Sequence, residues 1–276
     1  MPAPDPTTPA DTTSCTVPTS FGDVPVTVTD RGQGRPVLLL HGGAGPDSVN
    51  GFADMLAARY PLRVLTPVHP GFGGTVRPDA LNSMPRLAEL YLNLLDQLGL
   101  AGVTVAGSSI GGWVAAETAL RATTAGSAGL VDRLILLDAA GLDSAEHPIV
   151  DFFSLTLDQV AELSWAHPEG HQIDLSVLTD AQKAVFAGNR AALETYGGRA
   201  MADPTLAARL GGLAVPTLLL WGEADRIVTP DYGKQYAAAI PGASFRVLPD
   251  AGHLPQLETP EPVATALTGF IGVPAG

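Results

Sequence analysis

The sequence predicts an α/β fold, a mostly parallel sheet of about eight strands with helices on both faces. Short, continuously apolar runs such as residues 37–40 and 131–137 have the composition of strands buried on both faces. These runs alternate with longer segments of helical character, as expected when helices connect parallel strands. Residues 142–207 break this rhythm and contain no strand pattern, which predicts a separate helical insertion.

The predicted strands follow one another along the chain. They comprise residues 15–21, 24–29, 37–40, 63–67, 131–137, 216–221 and 244–248, together with a short strand that begins at residue 103. The first two are expected to form a hairpin, because Gly22 and Asp23 between them favour a turn. Residues 1–14, rich in Pro, Thr and Asp, are predicted to be a disordered tail.

The predicted helices lie between these strands. They comprise about residues 48–60, residues 83–98, a helix that ends near 124, about residues 230–239, and a closing helix that starts at Thr259-Pro260. In the second helix, Leu87, Leu90 and Leu94 recur at helical spacing. Ser83 is a candidate N-cap for this helix, and Gly99 stands just beyond its end.

Residues 142–207 are predicted to form a helical cap, inserted after the sixth strand of a core made of residues 15–141 and 208–276. Thr156 and Thr179 each stand three residues before a glutamine, which is the capping-box pattern, so two helices are expected to begin there. The segment also carries apolar side chains that need a surface to cover. Because it follows the carboxyl end of a strand, we expect it to lie over the site.

Composition excludes several classes of partner. The chain has 28 acidic and 15 basic residues and a formal net charge of −13, whereas nucleic acids and anionic membranes require basic surfaces. It has no apolar run near the roughly 18 residues of a membrane span, and its first residues lack the pattern of a signal peptide. Cys15 is the only cysteine, so no internal disulfide is possible. We expect a cytoplasmic protein that acts on a small molecule; a homo-oligomer remains possible.

The motif Gly107-Ser-Ser-Ile-Gly111 lies where a predicted strand turns into a helix. It follows the pattern G-x-S-x-G, in which a serine on a very tight turn needs neighbours without side chains two residues to either side. The helix begins directly beneath the hydroxyl, so its free N–H groups and positive dipole end point at a bound group. This pattern predicts that Ser109 is a nucleophile.

A serine hydroxyl is a weak nucleophile at neutral pH and needs a base, usually a histidine whose tautomer is fixed by an acid. Among six histidines, His253 is best placed, in the loop after the last strand. Asp225 follows the preceding strand and gives the chain order Ser, Asp, His expected of this type of site. Asp138, at the end of an earlier strand, is the alternative acid, with a capping role as its other interpretation.

Attack on an ester carbonyl creates an oxyanion, which two preorganised backbone N–H groups must hold. Ile110, directly after the nucleophile, is predicted to supply one of them. Gly43, in the glycine loop after the strand at 37–40, is predicted to supply the second, with Ala44 the next candidate. This loop lacks the lysine and spacing of the known phosphate-binding glycine motifs.

Further positions next to these groups are predicted to contact the substrate. They are Gly42, Ala44, Ser108, Trp113 and Leu254, although for Trp113 packing is the competing interpretation. No cluster of His, Cys, Asp and Glu has the spacing of metal ligands. The sequence therefore predicts neither a metal nor a cofactor.

With this order of motifs and the helical insertion, the sequence resembles the α/β-hydrolase superfamily over roughly residues 15–276. Residues 221–228 and 252–258 are especially similar to its capped members, which include meta-cleavage-product hydrolases, lactonases, esterases and cofactor-free peroxidases. Haloalkane dehalogenases and epoxide hydrolases of this fold have aspartate where Ser109 stands. Meta-cleavage-product hydrolases often have tryptophan in place of Leu254 and asparagine in place of Ser108.

The resemblance implies a serine hydrolase with a Ser-His-Asp triad and a backbone oxyanion hole, which cleaves a small carboxylester or lactone through an acyl-enzyme. One alternative keeps the fold and changes the bond, as a carbon–carbon hydrolase, a cofactor-free peroxidase or a lyase. A second alternative is a binding protein that has lost activity, which the complete set of catalytic residues disfavours.

Overall fold

The computed structural model describes residues 10–124 and 129–274 of the chain. The strands found there are β1 (Asp11–Val17), β2 (Val24–Gly32), β3 (Arg35–Leu40), β4 (Leu62–Pro67), β5 (Val103–Ser108), β6 (Val131–Leu137), β7 (Gly141–Leu142), β8 (Ala202–Asp203), β9 (Thr217–Gly222) and β10 (Ser244–Leu248). The helices found there are α1 (Asp47–Arg59), α2 (Met84–Gln97), α3 (Ile110–Thr124), α4 (Leu157–Ser164), α5 (Asp180–Gly197), α6 (Leu206–Leu210), α7 (Pro230–Ala238), α8 (Pro255–Glu258) and α9 (Pro260–Ile271).

Eight of these strands form one sheet in the order β1-β2-β4-β3-β5-β6-β9-β10. The pairs β1–β2 and β2–β4 are antiparallel, and the remaining neighbours are parallel. The central parallel strands β5 and β9 are buried over their whole length, because helices cover both faces of the sheet there. The predicted α/β fold, with a mostly parallel sheet of eight strands, is confirmed.

The chain changes direction across the sheet between β3 and β5. The next strand after β3, β4, pairs with β3 on one side. The chain then returns, and β5 pairs with β3 on the other side. Loops that leave the carboxyl ends of two such strands diverge to opposite faces and leave a crevice between them. The loop after β3 begins at His41, and the turn after β5 holds Ser109, so the topology places both at this crevice.

Two apolar layers pack on opposite faces of the sheet. Side chains along a strand alternate between faces, so Leu38 and Leu40 belong to one layer while Val37 and Leu39 belong to the other. All four are fully buried. This packing makes the sheet a rigid support for the loops at its edge.

Both capping boxes predicted in residues 142–207 are present. The Thr156 hydroxyl accepts from the N–H of Gln159 at the start of α4, and the Gln159 side chain accepts from the N–H of Thr156. Thr179 and Gln182 make the same pair of bonds at the start of α5. Ser83 occupies the N-cap position of α2 without forming a side-chain cap hydrogen bond.

The first strand begins earlier than predicted. Residues 1–9 of the predicted tail lie outside the described residues, but β1 starts at Asp11, so the tail does not extend to residue 14. Thr12 and Ser14 pair with β2 through hydroxyl hydrogen bonds to Thr29 and Thr27. This edge strand is exposed and polar, so it lacks the apolar run on which strand prediction depends.

A second departure is a two-stranded parallel sheet formed by β7 and β8, each two residues long. It lies at the two ends of residues 142–207, a segment for which the sequence indicated no strand. Two residues are too few to show a strand periodicity. In the ranges that the structure describes, no helix is both long and apolar enough to cross a membrane.

Candidate active site

Ser109 stands on the tight turn between β5 and α3. Its φ is +54°, in the left-handed region that a residue with a side chain rarely adopts. A Cβ atom on Gly107 would lie 2.1 Å from the carbonyl oxygen of Gly111, and one on Gly111 would lie 2.4 Å from that of Leu40. The two glycines therefore permit a turn that any larger residue would force open.

The structure brings Ser109, His253 and Asp225 together. The Ser109 hydroxyl lies 2.9 Å from Nε2 of His253, and Nδ1 of His253 lies 2.8 Å from Oδ2 of Asp225. With the ring proton on Nδ1, the imidazole donates to Asp225 and accepts from the serine hydroxyl. His253 and Asp225 are both buried, so water competes little for these hydrogen bonds.

The two aspartates that the sequence left as alternative acids have different surroundings. The other carboxylate oxygen of Asp225 accepts from the N–H groups of Ile227, at 2.8 Å, and Val228, at 3.0 Å. Asp138 accepts from the N–H of Gly222 at 2.8 Å, while its second oxygen has no partner among the described residues. Burial raises the pKa of Asp138 well above its ordinary value, and the nearby Asp225 carboxylate raises it further. Asp225, not Asp138, is the acid in contact with His253.

Two residues beside Ser109 are the predicted oxyanion donors, through their backbone N–H groups. Those of Gly43 and Ile110 donate to no backbone or side-chain acceptor in the part of the chain that the structure describes. Both residues line the same cavity as Ser109. Ile110 is the first residue of α3, where N–H groups lack partners within the helix. The two groups are therefore candidate donors to an oxyanion.

A pair of buried histidines supports the loop that carries Gly43. His41 donates from Nδ1 to the Gly42 carbonyl at 2.8 Å and accepts the His69 N–H at Nε2, at 3.0 Å. His69 donates from Nε2 to the His41 carbonyl at 2.9 Å and accepts at Nδ1 from the Tyr91 hydroxyl. The backbone N–H of His69 needs an unprotonated Nε2 on His41, so this arrangement requires a neutral His41.

Burial disfavours the charged form of both rings. It lowers the pKa of His41 from its ordinary value to about 4. Burial, together with the nearby His41, lowers the pKa of His69 well below its ordinary value. Neither ring touches the cavity wall, so their role is to hold the glycine loop.

A cavity of about 350 Å³ lies above Ser109, between the sheet edge and residues 142–207. Its wall from the core includes Ala44, Ile227 and Leu254, of which Ala44 and Leu254 are predicted substrate contacts. Apolar and aromatic side chains from residues 142–207 make up most of the rest: Phe152, Leu157, Val160, Ala161, Trp165, Ile173, Phe186, Leu193 and Met201.

Three other predicted substrate contacts do not lie on the cavity wall that the structure describes. Trp113 is buried in the core, where a Cβ on Gly141 would lie 2.5 Å from its ring. Ser108 points its hydroxyl to the side chain of Gln256, at 3.3 Å. The carbonyl of Gly42 accepts from the ring of His41. Ser108 and Trp113 lie close to Ser109 in sequence, but their side chains point away from the cavity.

Several cavity residues were not predicted from the sequence. Phe186, Asn189, Arg190 and Leu193 line the cavity from α5 and follow the i, i+3, i+4, i+7 spacing of one helix face. That periodicity is a usable signal in the sequence, because it places the four residues on one face of α5. His171 also lines the cavity and stacks on Trp165 with ring centroids 3.7 Å apart.

The chain belongs to the alpha/beta hydrolase family, because residues 37–266 match the model of that family. It is 26% identical over 267 residues to 2-hydroxy-6-oxo-6-(2'-aminophenyl)hexa-2,4-dienoic acid hydrolase of Metapseudomonas resinovorans, covering 91% of this chain and 88% of the relative. It is 28% identical over 268 residues to 2-hydroxymuconate semialdehyde hydrolase of Pseudomonas putida, covering 88% and 89%.

A solved structure of a thermophilic esterase from Thermogutta terrifontis superposes with a TM-score of 0.73 and 26% identity, covering 94% of this chain and 98% of that one. The protein is therefore an enzyme of the alpha/beta hydrolase family, and it resembles the group that contains meta-cleavage-product hydrolases and esterases.

The close packing around the Ser109 turn predicts that Gly111→Ala strongly destabilises the protein. Its new methyl group would overlap backbone carbonyls that cannot move without opening the turn. We expect the free energy of unfolding to fall by about 2 kcal/mol or more in urea denaturation. Gly269→Ala is the matched control, since a Cβ there meets nothing within 4 Å on the exposed side of α9. Equal stability of the two variants would contradict this account.

The neutral histidine pair predicts a loss of stability in acid. Below an unfolded-state pKa of about 6.5, His41 and His69 bind protons in the unfolded chain but stay neutral in the folded one. The free energy of unfolding therefore falls as the pH decreases. The loss continues down to the folded pKa, which for His41 is about 4. Between pH 7 and 5, His41 is expected to reduce the free energy of unfolding by about 2 kcal/mol, and His69 adds a loss of the same sign.

Denaturation at a series of pH values measures this slope. His41→Gln keeps an acceptor for the His69 N–H and removes one titrating group, so its slope should be shallower. His167→Gln, at an exposed position, should keep the wild-type slope. A slope that His41→Gln leaves unchanged would refute the assignment.

Proposed function

We propose that this protein is a serine hydrolase that cleaves a small carboxylester or lactone through an acyl-enzyme. The observation that carries the proposal is the continuous hydrogen-bonded chain from the Ser109 hydroxyl through His253 to Asp225. A base within hydrogen-bond reach of the nucleophile, itself oriented by an acid, is the arrangement that activates a serine.

In the first half-reaction, the oxygen of Ser109 attacks the substrate carbonyl carbon while its proton moves to Nε2 of His253. The negative charge that forms on the carbonyl oxygen is held by the N–H groups of Gly43 and Ile110. Asp225 stabilises the imidazolium. His253 then returns the proton to the departing alkoxide as the bond between the carbonyl carbon and the alcohol oxygen breaks, which leaves the acyl group on Ser109.

In the second half-reaction, water replaces the alcohol. His253 takes a proton from the water, whose oxygen attacks the acyl carbon, and the same pair of N–H groups holds the oxyanion. Collapse of this intermediate breaks the bond to Ser109, which recovers its proton from His253. The products are a carboxylic acid and the free enzyme.

The character of the cavity supports a small, largely apolar substrate. Most of its wall is hydrocarbon or aromatic, and its volume of about 350 Å³ lies at the lower end of the range for small-molecule sites. We propose that residues 142–207 act as a cap that excludes water from the acyl group. Exclusion of water strengthens the hydrogen bonds that hold the oxyanion.

A second candidate is hydrolysis of a carbon–carbon bond in an acidic substrate. The guanidinium of Arg190 reaches the cavity wall, where it donates to the Phe153 carbonyl at 2.6 Å. It forms no ion pair with a carboxylate among the described residues, so it is available to a substrate carboxylate. The relative from Metapseudomonas resinovorans is named for a dienoic acid. Comparing kcat/KM for nitrophenyl esters with that for 6-oxo-dienoic acids decides between the two candidates.

Replacement of the nucleophile is the first test. Ser109→Ala should lower kcat/KM for an activated ester by about 10⁴-fold or more, because no acyl-enzyme can form. A fluorophosphonate should modify Ser109 in the wild-type protein, as seen by mass spectrometry of its peptides. Ser244→Ala, at an exposed site, should have no effect. Turnover retained by Ser109→Ala, or an adduct on another residue, would rule out this nucleophile.

Replacement of each aspartate tests the assignment of the acid. Asp225→Asn should lower kcat by roughly 10³ to 10⁴-fold, because the amide no longer favours the proton on Nδ1 of His253. Asp138→Asn should retain activity within about tenfold, since an amide resembles the protonated carboxyl that burial favours there. Stopped-flow acylation of both variants gives the comparison, and a larger loss in Asp138→Asn would reverse the assignment.

A further inference from the structure

The carboxylate of Glu258 joins two segments that meet behind His253. Its Oε2 accepts from the N–H of Gly252 at 2.6 Å, and its Oε1 accepts from the N–H of Ala166 at 2.8 Å. Gly252 directly precedes His253, whereas Ala166 lies two residues past the end of α4 in the proposed cap. One side chain therefore spans from the loop of the proposed base to the cap.

The backbones of the two segments also touch each other directly. We call this contact the seam; it joins residues 163–166 of the proposed cap to Arg226 and to Gly252–His253 of the core. The N–H of His253 donates to the Ser164 carbonyl at 2.6 Å, and the N–H of Arg226 donates to the Leu163 carbonyl at 3.0 Å. A Cβ on Gly252 would lie only 2.2 Å from the Ser164 carbonyl oxygen. The cap backbone therefore sits against the loop too closely for either to shift alone.

The geometry of this contact suits a carboxylate. Two N–H groups from different segments point at one side chain, and the carboxylate of Glu258 offers a separate acceptor oxygen to each. Hydrogen bonds to an ionised acceptor are shorter and stronger than neutral ones. Glu258 forms no ion pair with a lysine or arginine in the ranges that the structure describes, so these peptide groups are what its charge contacts there.

Glu258 does not lie on the cavity wall, so it has no direct access to a substrate. The residues that it holds do lie close to the chemistry. Ser164 and Trp165 line the cavity from the cap, and His253 lines it from the core. A group that fixes both sides of the seam controls where the imidazole stands relative to Ser109.

We infer that Glu258 is a positioning residue that makes the placement of His253 depend on the docking of the cap. Release of the cap segment would remove one of the two partners of Glu258 and the Ser164 carbonyl that the His253 N–H contacts, so an undocked cap would leave the position of His253 less well fixed relative to Ser109. The inference rests on the proposed function, because it assigns His253 the role of general base. Because the cap also lines the cavity, a molecule bound beneath the cap would act on the position of His253 through Glu258.

The test compares Glu258→Gln with Glu261→Gln, an exposed glutamate that pairs with Arg59 and is remote from the seam. Glutamine is isosteric but presents an NH₂ group to one of the two N–H donors. We expect kcat for p-nitrophenyl acetate to fall by about tenfold or more in Glu258→Gln, because small displacements of a catalytic group are costly. Glu261→Gln should stay within about twofold of wild type.

A second readout separates positioning from a purely structural role. The proton NMR signal of His253 Nδ1–H, which reports its hydrogen bond to Asp225, should shift or broaden in Glu258→Gln. A structural role alone would lower the melting temperature and leave this signal and kcat at their wild-type values below the transition. That outcome would overturn the inference.

Ala166→Pro probes the same contact from the cap and leaves Glu258 intact. Trp165 has φ −113° and ψ 144°, which is compatible with a following proline, and proline removes the N–H that Glu258 accepts. If both variants act through one contact, the double variant should be no slower than Glu258→Gln. Losses that multiply would overturn the inference.

Failure of the proposed function is distinguishable. A wild-type protein that no fluorophosphonate modifies at Ser109 would refute the proposed nucleophile before Glu258 is considered. A wild-type protein modified at Ser109, with Glu258→Gln equal to it in kcat and in the NMR signal, would refute the inference about Glu258 alone.

Discussion

The left-handed backbone of Ser109 is the constraint on which the site depends. At φ +54° the chain reverses within one residue, so β5 passes directly into α3 and the hydroxyl stands at the tip of the turn. The strain of this conformation is offset by close packing, because Gly111 lies against the carbonyls that end β3. Ser109 is thereby fixed relative to β3, the neighbouring strand, whose loop carries Gly43.

The other groups reach Ser109 because neighbouring parallel strands end at the same edge. Asp138 follows β6, Asp225 follows β9 by three residues, and His253 follows β10 by five. Each loop is short, so the rigid sheet determines where the side chains of the loop lie.

The two aspartates differ in their hydrogen bonds. Asp225 accepts two peptide N–H groups and the imidazole, which suits a carboxylate, whereas Asp138 accepts one and is favoured in its neutral form.

The features that could be predicted from sequence are those with local causes. Buried strands, capping boxes and the glycine spacing around Ser109 each follow from a few adjacent residues, and the structure agrees with them. The start of β1 was missed because an exposed edge strand of Thr and Ser has no apolar pattern. Proximity in sequence misled at Trp113, since one helical turn beyond the nucleophile already points into the core.

Features that depend on contacts between distant segments had no local signal. Glu258 meets Ala166 across 92 residues of sequence, and nothing in the neighbourhood of either residue indicates the other. The position of α5 over the cavity likewise depends on how residues 142–207 pack as a whole. The helix face that carries Arg190 could nevertheless have been recognised from the spacing of Phe186 and Leu193.

The separation of the site residues along the chain has a consequence for biosynthesis. Ser109 and His253 are 144 residues apart, and the strand before His253 is the last of the sheet to be made. Domains can begin to fold while the ribosome is still extending the chain. An emerging polypeptide would thus carry Ser109 with no histidine beside it until β10 docks. If Ser109 is the nucleophile, as proposed, it would lack its base in the unfinished chain.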